Sequence, residues 1–208
     1  MPIELFAYNT PNGRKVSVAL EEMGLSYTIK IVDISKGQQH DPAFLKISPN
    51  NKIPAIIDSE GPDGAPISVF ESGAILIYLG EKTGQFWPQD PRAHVSVLEW
   101  LMFQMGGFGP MPGQVHHFLQ VESESDRRYG LERFSKETHR LYRVMDKRLS
   151  DHDYFAGAIS IADFAILGWA WRHERHKVDL NVYPNVKRWY DTMMARPGVQ
   201  RGFAVKLS

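Results

Sequence analysis

The chain predicts two structural classes in series: an α/β domain over residues 1–85 and an all-α domain over residues 92–208. Three observations carry that division. Up to Gly84, strand-like and helical spacings of apolar residues take turns. Pro88 and Pro91 then bracket a short break, and beyond it only helical spacing recurs. With 208 residues there is ample chain for a sizeable core.

Taken in order, Ile3-Glu4-Leu5-Phe6-Ala7-Tyr8 reads as a strand that ends in the turn Asn9-Thr10-Pro11-Asn12-Gly13. A helix follows, with Val16, Ala19, Leu20 and Met23 on one face and Gly24 as its stop. Residues 27–33 supply a second strand, parallel to the first because a helix connects them. Lys36-Gly37-Gln38-Gln39-His40 is a loop, and Pro42-Ala43-Phe44-Leu45 a short turn. Two strands, Ala55–Asp58 and Ile67–Phe70, are joined by the turn-rich Glu60-Gly61-Pro62-Asp63-Gly64. A helix capped by Ser72 carries Ile75, Tyr78, Leu79 and Lys82, and stops at Gly84. The order βαβ then ββα is that of a thioredoxin-like domain.

Past the linker at 86–91, Val95, Leu98, Leu101 and Met102 form a helical stripe. It is broken by Gly106-Gly107-Phe108-Gly109-Pro110-Met111-Pro112-Gly113, which must kink or open the helix. Phe134, Thr138, Leu141, Met145 and Leu149 mark a long helix. Ser160-Ile161-Ala162-Asp163 has the form of a capping box, with Ile159 and Phe164 placed as a hydrophobic staple. Val186, Trp189, Tyr190 and Met193 belong to an amphipathic helix before Arg196-Pro197-Gly198.

Composition narrows the function. Lys+Arg and Asp+Glu balance at 24 each, with a pI near 7.1, which argues against nucleic acid or an anionic membrane as the main partner. There is no long apolar run and no basic-then-apolar N-terminus, so neither a membrane span nor a signal peptide is expected. The cysteine count is zero. Disulfides, thiolate metal sites and cysteine nucleophiles are excluded, and any sulfur chemistry must come from a ligand. A cytoplasmic location fits. His116-His117 and the pair His173/His176 raise the question of a metal. Adjacent histidines diverge on a helix, however, and no wider ligand set accompanies either pair, so no metal is expected.

The most informative motif is Asn51-Lys52-Ile53-Pro54 followed by Glu71-Ser72. Pro54 opens a strand, where its missing N–H costs nothing. A cis bond would turn the Ile53 backbone toward an extended ligand. Ser72 begins a helix, whose positive end suits a carboxylate, and Glu71 beside it suits an ammonium. Glutathione has those charged ends and brings the missing sulfur. Its thiol, with a pKa near ~8.5, is only a few per cent ionised at neutral pH, and lowering that pKa by ~2 units takes about 2.7 kcal/mol. Thr10 and Asn12, at a strand end and a helix start, place a hydroxyl, an amide and free N–H groups where such a thiolate could sit. Thr-Pro-Asn-Gly is also an ordinary turn and cap.

The motifs Thr10-Pro11-Asn12-Gly13, residues 48–54 (Ser-Pro-Asn-Asn-Lys-Ile-Pro) and residues 70–75 (Phe-Glu-Ser-Gly-Ala-Ile) resemble those of the glutathione transferase superfamily. With Gly106-Gly107-Phe108-Gly109-Pro110-Met111 and Gln114-Val115-His116-His117-Phe118, they are similar to its bacterial Nu class, of glutathione-dependent disulfide-bond oxidoreductase type. The resemblance covers nearly the whole chain. It implies Thr10 and Asn12 at the sulfur, with Tyr8 as a competitor because other classes use a tyrosine nearby. It also implies Gln39 and Lys52 near the glycyl end, Ile53 pairing through its backbone ahead of Pro54, and Glu71 and Ser72 at the γ-glutamyl end. Arg133 would reach a glutathione carboxylate, although a surface arginine is the ordinary expectation there. A homodimer is implied, with glutathione and glutathione disulfide as ligands and a small disulfide or electrophile as substrate. Disulfide reduction leads; transfer to small apolar electrophiles, peroxidase side activity and a non-catalytic binding module remain as alternatives.

Overall fold

The computed structural model describes residues 3–208, and its contacts divide into two compact units. One runs to Trp87 and includes Ala195–Ser208; the other is Pro88–Met194.

In the first unit, β1 (Ile3–Ala7), α1 (Pro11–Glu22), β2 (Tyr27–Ile31), the single turn α2 (Pro42–Leu45), β3 (Ala55–Asp58), β4 (Ile67–Phe70) and α3 (Ser72–Thr83) follow in order. The sheet runs β2-β1-β3-β4, with β1 and β2 parallel and the other two pairings antiparallel. β1 alternates cleanly, burying Ile3, Leu5 and Ala7. β2 ends two residues earlier than its apolar run, because the Asp33 carboxylate accepts from the Ser35 N–H at 3.0 Å and starts a 3-10 turn. Sheet, α1 and α3 share a core of Leu5, Val16, Leu20, Ile56, Ile75 and Leu79. The other face of α1 packs against α9 (Pro197–Ala204). There the Glu22 carboxylate accepts from the Val199 N–H at 3.1 Å and pairs with Arg196 at 2.5 Å.

The second unit comprises α4 (Pro91–Phe103), α5 (Pro110–Phe118), α6 (Glu124–Leu149), α7 (Ile161–Ala170) and α8 (Pro184–Met194). Asp90 caps α4, accepting from the N–H groups of Arg92 and Ala93 at 3.1 and 2.9 Å. The glycine-rich break is a π turn over Gln104–Phe108, closed by Gly109 N–H to the Gln104 carbonyl at 2.9 Å. The expected stripe on α4 is only half right. Val97 and Leu101, four apart, face the core, while Val95 and Met102 are 54% and 52% exposed. On α6, Thr138, Leu141, Met145 and Leu149 are buried as expected, while Phe134 at the head of the stripe is only half-buried. No described helix is long and apolar enough to cross a membrane.

Candidate functional site

Strand register gathers the site. Phe6 pairs with Ala55, and Ala55 with Phe70, so the end of β1, the start of β3 and the end of β4 lie in one row. The chain leaves that row toward Thr10, enters it from Ile53-Pro54 and leaves it again at Glu71-Ser72. β2 ends on the same side, since Ile31 pairs with Ala7, and its exit leads to Gln39. Residues far apart in sequence thus emerge at one end of one sheet.

At the α1 start, Thr10 is extended and its Oγ1 accepts from the Gly13 N–H at 3.1 Å. A threonine hydroxyl can accept and donate together, so the Thr10 proton remains available to a thiolate. Gly13 is required here: a Cβ would run into the Tyr8 carbonyl oxygen. Asn12 lies in the first turn of α1, half-buried. The Ser35 hydroxyl, and after it Lys36 and the Ser35 N–H, hold Asp33 down to a pKa of about 2, with Tyr8 the smallest contributor. That directs the phenol toward Asp33.

The Ile53–Pro54 bond is cis. The Ile53 N–H and C=O have no partner among the described residues, whereas the Lys52 carbonyl accepts from the Ser48 hydroxyl at 2.8 Å. The Lys52 side chain is exposed. Gln39 is half-buried, and its Oε1 is a buried acceptor with no protein partner.

Ser72 was expected to cap α3, and here the structure differs. Ser72 is the first helical residue, and Glu71 holds the cap position with φ +69° and no side-chain cap bond. Positive φ is sparsely populated for a residue with a Cβ, and such backbone concentrates where function over-determines it. The twist leaves the Glu71 carboxylate exposed, accepting from Asn50 Nδ2 at 3.3 Å, and turns the Ser72 hydroxyl inward.

What Ser72 meets is Lys15, on the sheet-facing side of α1. Lys15 Nζ donates to Ser72 Oγ at 3.2 Å, and the side chain is 1% exposed. Burial pushes its pKa from 10.5 down to about 7, against the opposing pull of Glu71. One signal was present: Lys15 lies four residues before Ala19, on a face the apolar stripe buries.

Arg133 belongs to the helical unit. It is exposed on α6, its guanidinium 6.0 Å from the Phe134 ring centre. It lines a cleft of about 740 Å³ with Tyr129, Lys136, Arg140 and Arg143, and with the carboxylates of Glu132 and Glu137. Arg140 is committed to Glu137 through two bonds of 2.8 and 2.7 Å. Elsewhere in this unit His116 and His176 stack at 4.6 Å between ring centres, and each has a buried Nε2 without a partner. Burial lowers their pKa values to about 4 and about 2. Among the described residues, no group of three or more His, Asp or Glu could hold a metal.

A four-stranded α/β unit followed by an all-helical unit is the architecture of the glutathione transferases. The N-terminal domain model of the glutathione S-transferases matches residues 10–82, and their C-terminal domain model residues 110–197. The chain belongs to that family. The disulfide-bond oxidoreductase YfcG of Escherichia coli is 47% identical over 197 residues, covering 94% of this chain and 91% of the relative. A Pseudomonas putida glutathione transferase, solved with one glutathione disulfide per subunit, is similar with TM-score 0.91 and 42% identity, over 98% of this chain and 91% of that one. A Burkholderia graminis glutathione transferase, solved with two glutathione molecules per subunit, has TM-score 0.91 and 42% identity, over 97% and 87% of the two chains.

Proposed function

We propose that this chain is a glutathione-dependent disulfide-bond reductase that works with the thiolate of bound glutathione. The observation that carries the reading is the convergence of Thr10, Ile53, Glu71 and Ser72 at one end of the sheet in a chain without cysteine. Likeness to YfcG and to transferases holding glutathione or its disulfide supports it. Ser72 and Glu71 take the γ-glutamyl carboxylate and ammonium, Ile53 pairs with the cysteinyl backbone ahead of Pro54, and Gln39 and Lys52 face the glycyl end. Thr10 and Asn12 donate to the sulfur. Arg133, whose fork suits a carboxylate, takes one from a second glutathione in its cleft. Residues 1–85 and 92–208 are the two domains, the last helix completing the core of the first.

In the reaction, the bound thiolate attacks one sulfur of the substrate disulfide, forming a mixed disulfide and releasing a substrate thiolate that takes a proton. A second glutathione thiolate attacks the mixed disulfide at the glutathione sulfur. Glutathione disulfide forms and the other substrate thiol leaves, so two electrons pass from two glutathiones to one disulfide. We assign a homodimer as well, supported by exposed Phe70 on edge strand β4 and by exposed Val95 and Met102 on α4. A reduced glutathione pool places the enzyme in the cytoplasm.

Transfer of glutathione to small apolar electrophiles would use the same thiolate, with peroxidase activity beside it. Steady-state rates on an alkyl disulfide and on an aryl halide, measured side by side, separate the readings. Disulfide turnover that survives pretreatment with a thiol-alkylating reagent is expected. Rapid aryl conjugation without disulfide turnover would assign an ordinary transferase, and glutathione binding without either a non-catalytic module.

A further inference from the structure

We infer that Asn50 and Asn51 are positioning residues that hold the two ends of the tripeptide site at a fixed separation, Asn50 through Glu71 and Asn51 through the turn that carries Gln39. The inference rests on the proposed glutathione reading, with Glu71 at the γ-glutamyl end and Gln39 at the glycyl end. Asn50 Nδ2 donates to Glu71 Oε1 at 3.3 Å. Asn51 Nδ2 reaches His40 Nδ1 at 3.4 Å. An amide NH2 only donates, so the His40 ring accepts through Nδ1 and carries its proton on Nε2. Adjacent side chains thus brace opposite sides. The sheet order puts the exit of β4 on one side of β3 and the exit of β2, beyond β1, on the other. Three strand spacings separate those exits, about 14 Å. An extended tripeptide spans roughly 11 Å, and more through a γ-linkage.

The loop that carries the pair is built as a fixed point. Asn51 N–H donates to the Ser48 carbonyl at 2.9 Å, and the buried Ser48 gives its hydroxyl to the Lys52 carbonyl at 2.8 Å. Beneath it, Ile47 and Ile53 pack against the buried Val32, Phe44 and Ala55. Asn51 takes φ +50°, a region asparagine enters more readily than most residues. Glu71, at the far end of the Asn50 contact, has φ +69°. One side chain therefore joins two sparsely populated backbone positions beside the site. On the other side the turn Gln38–His40 is itself anchored, since Gln38 Oε1 accepts from Asp33 N–H at 2.7 Å. Neither asparagine touches the ligand in this arrangement; each fixes an element that does.

The test compares glutathione with γ-glutamylcysteine, which keeps the γ-glutamyl end and lacks the glycyl one. By calorimetry, Asn50→Ala should weaken both ligands about fivefold, because both use Glu71. Asn51→Gly keeps the positive φ but has no side chain. It should weaken glutathione about fivefold and leave γ-glutamylcysteine within about twofold. KM for glutathione should rise by the same factors, with kcat changed less than about twofold. Asn50→Asp, which sets a second carboxylate against Glu71, should be worse than Asn50→Ala. In a Glu71→Ala background, Asn50→Ala should cost little more. His40→Ala removes the Asn51 contact from its other side and should reproduce Asn51→Gly. Unfolding midpoints should stay within about 2 °C of the parent.

Asn51→Gly that weakens both ligands equally would overturn the inference alone, since that is the pattern of a loop that has lost its shape. So would two asparagine variants with parental affinity for both ligands. Wild-type protein that binds no glutathione at all would overturn the functional reading itself, and the inference with it. If Asn51→Gly did not fold, His40→Ala would decide between the same outcomes.

Discussion

Two helices of this protein start in opposite ways. α7 begins closed: Ser160 Oγ accepts from Ala162 N–H at 3.3 Å, and the Asp163 carboxylate accepts from Ser160 N–H at 2.9 Å and from the Ser160 hydroxyl at 3.2 Å. Asp163 also accepts from Trp189 Nε1 at 3.0 Å and Phe155 N–H at 3.3 Å. Burial lifts its pKa to about 6, and those donors keep it from rising further. α3 begins open, with no side-chain cap and with Glu71 at φ +69°. The closed start satisfies its donors from within the chain and joins α7 to α8. The open start has no side-chain cap bond, and its first residue, Ser72, is tied to α1 through Lys15 instead. A helix start closed by its own side chains is a structural joint, and one without such a cap is where the proposed function puts its ligand.

The sharpest way to break that comparison is Asp163→Ala, which strands four donors in a dry core. It should cost roughly 3 kcal/mol or more and lower the midpoint of thermal unfolding by many degrees. A near-neutral outcome would mean the closed start carries no structural weight. Next comes Thr10→Ala at α1, a start that is capped yet keeps a free proton. Activity in kcat/KM should fall by roughly ten- to a thousand-fold, Asn12→Ala acting in the same direction and Tyr8→Phe less. Stability should fall by only about 1 kcal/mol. Loss of activity through Tyr8→Phe alone would move the catalytic role to the phenol. Ser72→Ala should raise KM for glutathione roughly tenfold with little change in unfolding midpoint, since α3 does not depend on it as a cap.

The smallest effect is one of pH. His116 and His176 titrate near 6.5 when unfolded and near 4 and 2 when folded. Between those values the unfolded chain binds more protons, so stability falls as pH drops from about 6.5 toward 4. His116→Phe should flatten that slope in a plot of unfolding midpoint against pH.

Much of this was legible in the residues. Strand alternation in β1, the Ser160–Asp163 box and the α6 stripe each repeat a local rule over several residues, so the pattern survives folding. Pro54 was legible as the opening of a strand, and Glu71 and Ser72 as the start of a helix, because proline and small polar residues have few other places in a fold. The Lys15–Ser72 contact was legible only in part: the helical register puts Lys15 on the buried face, but its partner lies on α3, fifty-odd residues away. Ser72 was misplaced as a cap for a related reason. No residue type announces a positive φ on the glutamate before it. Nor does periodicity reveal that Val95 and Met102 would stand outside the core their stripe suggested.

The packing of α9 against α1 has a consequence for synthesis. The sheet and α1 leave the ribosome early, but Arg14 finds its carbonyl acceptors at Gly202 and Val205 only when residues 195–208 have been made. During all the time that the helical unit is being translated, one face of α1 lacks its cover. The first half of the protein is therefore finished last, and its nascent form is the stage at which a chaperone has the most to hold.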